Sequence, residues 1–193
     1  NVVGEVLRGQ GRFVEYDHYP ADDVFDHETA SQYYYHAHRD GEHGHFHTFL
    51  RARGMPEGVA PLPCPRAVEP WPAGSDALSH LIAISMDGHG FPVGLFATNR
   101  WVTGETWYPC GDVLRMLGRY AVDHAYPSWP VNRWITAMLV LFRQHVEILL
   151  RHRDAVIAHW QQSAADDDVF EDRELETTGC LPIDVDGWLR ELA

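Results

Sequence analysis

Five histidines, His36, His38, His43, His45 and His47, stand within twelve residues on either side of an Asp40-Gly41 pair. That pair constrains the local fold more than any other feature of the chain. A type I′ turn needs positive φ at both central positions, and Asp-Gly meets that demand at low cost. Residues 31–50, SQYYYHAHRDGEHGHFHTFL, therefore read as two short strands around a turn. Side chains on a strand alternate between faces. With a two-residue turn, His38 opposes His43, His36 opposes His45 and Tyr34 opposes His47. All five histidines then share one face with Tyr34, while Tyr33, Tyr35, Ala37, Phe46 and Leu50 take the other. A three-residue loop, Arg39-Asp40-Gly41 with a bulge at Gly41, is the rival. It reverses the second strand and puts His36, His38 and Glu42 on one face, with His43, His45 and His47 on the opposite one. The first register is preferred, because it makes one face apolar enough to bury.

A face of alternating imidazoles points to metal. Directly opposed strand residues have Cα atoms about 4.5–5.5 Å apart. From there, ring nitrogens can converge on one ion at about 2.0–2.1 Å. The expected ligands come from His36, His38, His43, His45 and His47, three or four binding and the others supporting them. His43 and His47 lie about 13 Å apart along a strand and do not share an ion. A divalent transition metal is implied, zinc or iron first, with copper or nickel also suited to neutral imidazole. Five packed imidazoles would repel one another if protonated, and a bound cation removes that conflict. The competing reading is a set of exposed or hydrogen-bonded histidines without metal.

The rest of the chain supplies a body for this hairpin. Residues 1–30 give no clear pattern. Residues 51–77 are rich in proline and glycine and read as a long loop. LSHLIAISM, Leu78–Met86, reads as a buried strand, DGHG as a turn, and FPVGLFATN, Phe91–Asn99, as the returning strand. Asp112 is placed to cap a helix over Val113–His124, stopped by Pro127 and Pro130. A long helix follows, roughly Val131–Gln162. Its stripe is Val131, Trp134, Ile135, Met138, Phe142, Val146, Leu149, Val156 and Trp160. The acidic run ADDDVFEDRELE, from Ala165 to Glu176, reads as a solvated loop, and CLPIDVDGWLRELA as ending in a short helix. The expectation is one α+β domain over 1–193: a small antiparallel sheet built from hairpins (31–99), then a packed pair of α-helices (112–162), then the acidic loop and terminal helix (163–193).

Composition narrows the function classes. The formal net charge of −13 disfavours nucleic acid and anionic membrane surfaces as partners. The longest apolar run, WITAMLVLF, is far shorter than the ~20 residues that a membrane span needs. Cys64, Cys110 and Cys180 are odd in number and widely spaced, so neither a disulfide framework nor a cysteine-rich zinc site is expected. A reducing, cytoplasmic setting fits best.

HAHRDGE also resembles the first part of the cupin motif, His-x-His followed by Glu, through His36, His38 and Glu42. That resemblance implies a metal inside a β-barrel. The flanking glycines are missing, however, and Ala97 stands where the later cupin histidine would fall. The helical second half also departs from that pattern. YYYHAHRDGEHGHFHTF and LFATNRWVTGETWYP, with SHLIAISMDGHG between them, are similar to an uncharacterised bacterial domain family. That second resemblance implies no reaction.

Other groups carry weaker signals. His80 can aim at the same face from a neighbouring strand, though a core or capping role is the simpler reading. Asn99, Arg100, Trp101, Glu105 and Trp107 form either a pocket wall or the closure of the sheet edge. His145, His152 and His159 recur every seven residues along the long helix and read as packed helix histidines. Glu42, Glu105 or Tyr34 can serve as acid or base beside a metal-bound water. The sequence reading is a metal-binding protein with a histidine-lined site and a small-molecule ligand, most simply a hydrolytic or oxidative metalloenzyme. The alternatives are a non-catalytic metal-binding protein and an interaction domain without metal. Oligomeric state is not legible.

Overall fold

The computed structural model describes residues 1–64, 67–163 and 167–193. The element order is α1 (Val2–Val6), β1 (Tyr19–Phe25), β2 (Ser31–His36), β3 (Gly44–Arg51), β4 (Leu78–Met86), β5 (Pro92–Thr98), α2 (Arg100–Thr103), α3 (Cys110–Leu117), α4 (Trp129–Leu141), α5 (Arg143–Ser163), β6 (Thr177–Pro182) and α6 (Val185–Leu192). The strands form one antiparallel sheet in the order β1-β2-β3-β4-β5-β6. The fold is α+β, as the sequence indicates, and the sheet is open, with β1 and β6 at its edges.

Alternation sorts the sheet into two faces. Tyr33, Tyr35, Phe46, Leu50, Ile82, Ile84, Met86 and Leu95 are buried in the main core. Val131, Ile135, Met138, Phe142, Val146 and Leu149 of the helices pack in that same core. The opposite face carries the histidines and is also buried.

Several local expectations are corrected. The apolar stripe read as one helix over 131–162 belongs to two, α4 and α5, separated at Phe142 (φ −98°, ψ 19°). Phe142 is itself buried, so the stripe's periodicity continues across the break and carries no stop signal. The helix read over 113–124 spans only Cys110–Leu117, with Pro109 at its N-cap and Asp112 inside its first turn. Gly118 follows at its end. Beyond it, the amides of Val122 and Asp123 donate to the Thr136 hydroxyl and the Asp26 carboxylate, which replaces a further helical turn. The acidic stretch is not one solvated loop. Val169 and Phe170 are buried, and Thr177–Pro182 is the sixth strand. Ala165 and Asp166, at the start of that run, lie outside the described residues.

The hairpin keeps one expected feature and loses another. β2 and β3 pair in the preferred register, with His36 opposite His45 and Tyr34 opposite His47. The two-residue turn is not made. The ladder ends at His36–His45, and residues 37–43 leave the sheet as a loop. Gly44 sits where that loop rejoins β3. A Cβ there would lie 2.6 Å from the His36 carbonyl oxygen and 2.5 Å from the Tyr35 hydroxyl. Gly44→Ala is therefore expected to destabilise the protein by about 1–3 kcal/mol through overpacking. Urea unfolding of the variant checks this, and an unchanged midpoint would show that β3 can shift without cost.

Candidate metal centre

β2 and β3 present His36, His45 and His47 on one face, and all three are buried. One ring nitrogen from each lies within 4.8 Å of the other two. His36 Nε2 and His45 Nε2 are 2.7 Å apart. His47 Nε2 is buried and has no hydrogen-bond partner. An orphaned buried nitrogen of this kind is rare and marks a place where something else binds or a cost is borne.

The remaining ring nitrogens explain the orientation. His45 Nδ1 is held by the Glu42 carboxylate. A carboxylate only accepts, so His45 donates from Nδ1 and turns a lone pair on Nε2 toward the cluster. His47 Nδ1 lies 2.9 Å from His80 Nε2. The metal-ready tautomer donates from His47 Nδ1 to His80, which frees Nε2 as a ligand. Metal-bound imidazoles are typically held this way, one nitrogen on the ion and the other on an outer partner. Two imidazoles on one tetrahedral ion would stand roughly 3.3 Å apart. His36 and His45 would therefore separate slightly as the ion replaced their shared hydrogen bond.

Electrostatics keep these rings neutral, as ligation demands. Burial lowers the His36 pKa to about 2, with help from His45, His38 and His18. Burial also holds His47 well below the usual histidine range, and the nearby His80, His45, His36 and His38 add to that. His45 is lowered too, because its burial outweighs the opposing pull of Glu42.

The surrounding wall is aromatic. The Phe96 ring lies 5.0 Å from His45 and 5.9 Å from His47, edge-on to both. Tyr34 lies 5.1 Å from His36 and 5.2 Å from His47. His18 stacks flat on Tyr34 at 3.6 Å, held by Asp23, whose other carboxylate oxygen accepts from Gln32.

Of the five expected ligands, the structure brings four together. The His38 ring, on the loop, is 4.8 Å from His36 and 5.1 Å from His45. His43 does not join them, and its expected place on the shared face is corrected. Its amide donates to the Met86 carbonyl, and its Nδ1 lies 2.7 Å from the Tyr35 hydroxyl. The ring stacks with Phe13 and Tyr35, on the apolar side of the sheet. The cause is the missing turn: once the chain leaves the ladder at Ala37, alternation no longer fixes which way His43 points. The sequence gives no reason to place His18 in this site, and for His80 a core or capping role is its simpler reading. His80 arrives through a bulge between β3 and β4 that sets it opposite Phe49, and a strict two-residue alternation does not reveal it.

The other candidate groups have structural roles. Asn99 donates to the Val169 carbonyl, Trp101 to the Leu175 carbonyl, and Arg100 pairs with Glu171. They tie the end of β5 to residues 169–175. Burial pushes the Glu105 pKa up to about 7, and its carboxylate accepts the His80 backbone amide. His145 packs edge-on against Trp188, while His152 and His159 are exposed. No helix among the described residues is long and apolar enough to cross a membrane.

A family model described as a domain of unknown function, DUF6969, matches residues 1–183. No curated protein and no solved structure matches the chain.

Proposed function

Since the chain belongs to the DUF6969 family of domains of unknown function, we propose from the histidine face alone that it is a metal-binding protein. His36, His45 and His47 each give one imidazole nitrogen to a divalent transition ion, zinc or iron before copper or nickel. The carrying observation is the unpartnered, buried Nε2 of His47 beside the paired Nε2 atoms of His36 and His45. A metal supplies the one partner that satisfies all three at once.

Three protein ligands with an open position are the pattern of catalytic rather than structural sites. This favours a small-molecule metalloenzyme, hydrolytic or oxidative. The ion would polarise a bound water or substrate oxygen, and the Phe96 and Tyr34 rings would keep bulk water from the reacting atoms. A second reading rests on His38. Its ring is close enough to His36 and His45 to close the fourth position, and a four-imidazole site would store or sense metal without catalysis. His43, on the other face, is no ligand in either reading.

Elemental analysis decides the matter. Protein made without a polyhistidine tag and never exposed to a nickel column should carry about one transition-metal ion per chain. The proposal fails if it carries none and if zinc, iron, copper and nickel all leave its melting temperature unchanged.

A further inference from the structure

Arg39 sits on the loop beside the histidine face, where its charge acts on the Glu42 carboxylate. Its guanidinium carbon lies 4.1 Å from the centre of the Phe96 ring, and that ring is the one edge-on to His45 at 5.0 Å. Its interaction with Glu42 is one of charge at a distance: among the described residues no carboxylate forms a close ion pair with Arg39, although the chain holds 28 acidic residues against 15 lysines and arginines. The nearby acid is Glu42, and it is committed elsewhere. It holds His45 Nδ1 and also bonds to the Ser85 side chain. Arg39 and its neighbour His38 are partly exposed, whereas His45 and His47 are fully covered.

We propose that the histidine site takes a small anionic ligand, a carboxylate-bearing molecule whose carboxylate docks on the Arg39 fork while a second oxygen donor reaches the metal. This inference rests on the metal reading. A guanidinium offers paired N–H donors that match a carboxylate in plane, and the contact with the Phe96 ring holds the group in place. The aromatic wall excludes water and strengthens the attraction between the ligand and both positive centres. A neutral ligand of the same shape would gain no charge-assisted contact from Arg39.

The test uses the whole chain loaded with cobalt(II), whose visible absorption reports on its ligands, and succinate as the probe. Succinate carries two carboxylates, one for the guanidinium and one for the metal. Metal content is measured first in wild type, Arg39→Met and Arg39→Lys. The expected result is equal cobalt in all three, a succinate-dependent change in the wild-type spectrum, and an affinity at least about tenfold weaker in Arg39→Met, the loss of one charge-assisted contact. Arg39→Lys, which keeps the charge without the fork, should fall between them, and the neutral diamide of succinic acid should leave the wild-type spectrum unchanged. Equal succinate affinity in wild type and Arg39→Met, or cobalt-loaded wild type that ignores succinate, would overturn this inference and leave the metal site standing. A wild-type chain that takes up no cobalt would overturn the metal reading, and this inference with it.

Discussion

Replacing His45 by alanine is expected to leave the purified protein without stoichiometric metal. His45 is the hinge of the cluster. Its Nε2 meets His36, its Nδ1 is held by Glu42, and its ring is fully buried between His36, His47 and Phe96. Losing an outer partner of a metal-bound histidine typically weakens binding by about 10–100-fold. That range is the expectation for Glu42→Gln, which keeps an acceptor for Nδ1–H but removes the charge. Losing the ligand itself must cost more, so the two variants should rank in that order. A stability readout serves as well. At free metal about 100-fold above Kd, binding adds about 2.7 kcal/mol to wild type, or several degrees of melting temperature for a chain of this size. His45→Ala should show no such gain. If it melts higher on adding metal by as much as wild type does, His45 is not a ligand.

Mild acid should unfold the protein well before its surface charges would predict. His36 is held at about 2 and His80 at about 3, the latter by burial and by the Arg153 charge. An unfolded chain returns both to the ordinary 6.5. Between pH 6.5 and 3 the unfolded state thus holds protons that the folded state refuses, so stability falls as pH falls. Each such group contributes about 1.4 kcal/mol per pH unit. For these two histidines alone the loss by pH 5 is about 4 kcal/mol, a large share of the 5–15 kcal/mol typical of a folded domain. His45 and His47 are shifted the same way and add to it. Glu105 works against them. Burial raises it to about 7, so it holds a proton in the folded state that an unfolded carboxyl loses above about pH 4.5. One opposing group does not cancel four. Urea midpoints at pH 7.5, 6 and 5 should fall steadily, and His80→Phe should flatten the slope. A midpoint that is level from pH 7.5 to 5 would show that these rings protonate within the fold.

What the sequence made legible follows from which forces act locally. β2, β3, β4 and β5 were readable because alternation and β-branched apolar runs are properties of neighbouring residues. The histidine face followed from the same alternation, as far as the ladder extends. The two-residue turn does not form, because Asp40-Gly41 reports only what that dipeptide tolerates. Gly41 does take positive φ, but the segment around it is held by a contact within the loop, Glu42 with His45, and by a distant one, Arg39 with Phe96. His80 is legible only as one alternative, because a bulge sets its position, and His18 joins through a stacked ring, which no spacing rule encodes. The split at Phe142 was invisible because tertiary packing, not a helix breaker, turns the chain there.

The two edge strands were the hardest to read, and the same residues guard the molecule against its own kind. The inner strands are apolar on the core side and would recruit further strands if a regular edge were left open. β1 instead carries Pro20 and the acids Asp22 and Asp23, and its pairing with β2 slips between Tyr19 and Val24. β6 carries Gly179, ends at Pro182, and slips against β5 between Ala97 and Thr98. Missing donors, repelling charges and broken register are the features that deny an incoming strand a template. The irregularity that hides these strands from a pattern search is thus also a safeguard against aggregation, and regularising either edge would raise the propensity to form stacked sheets.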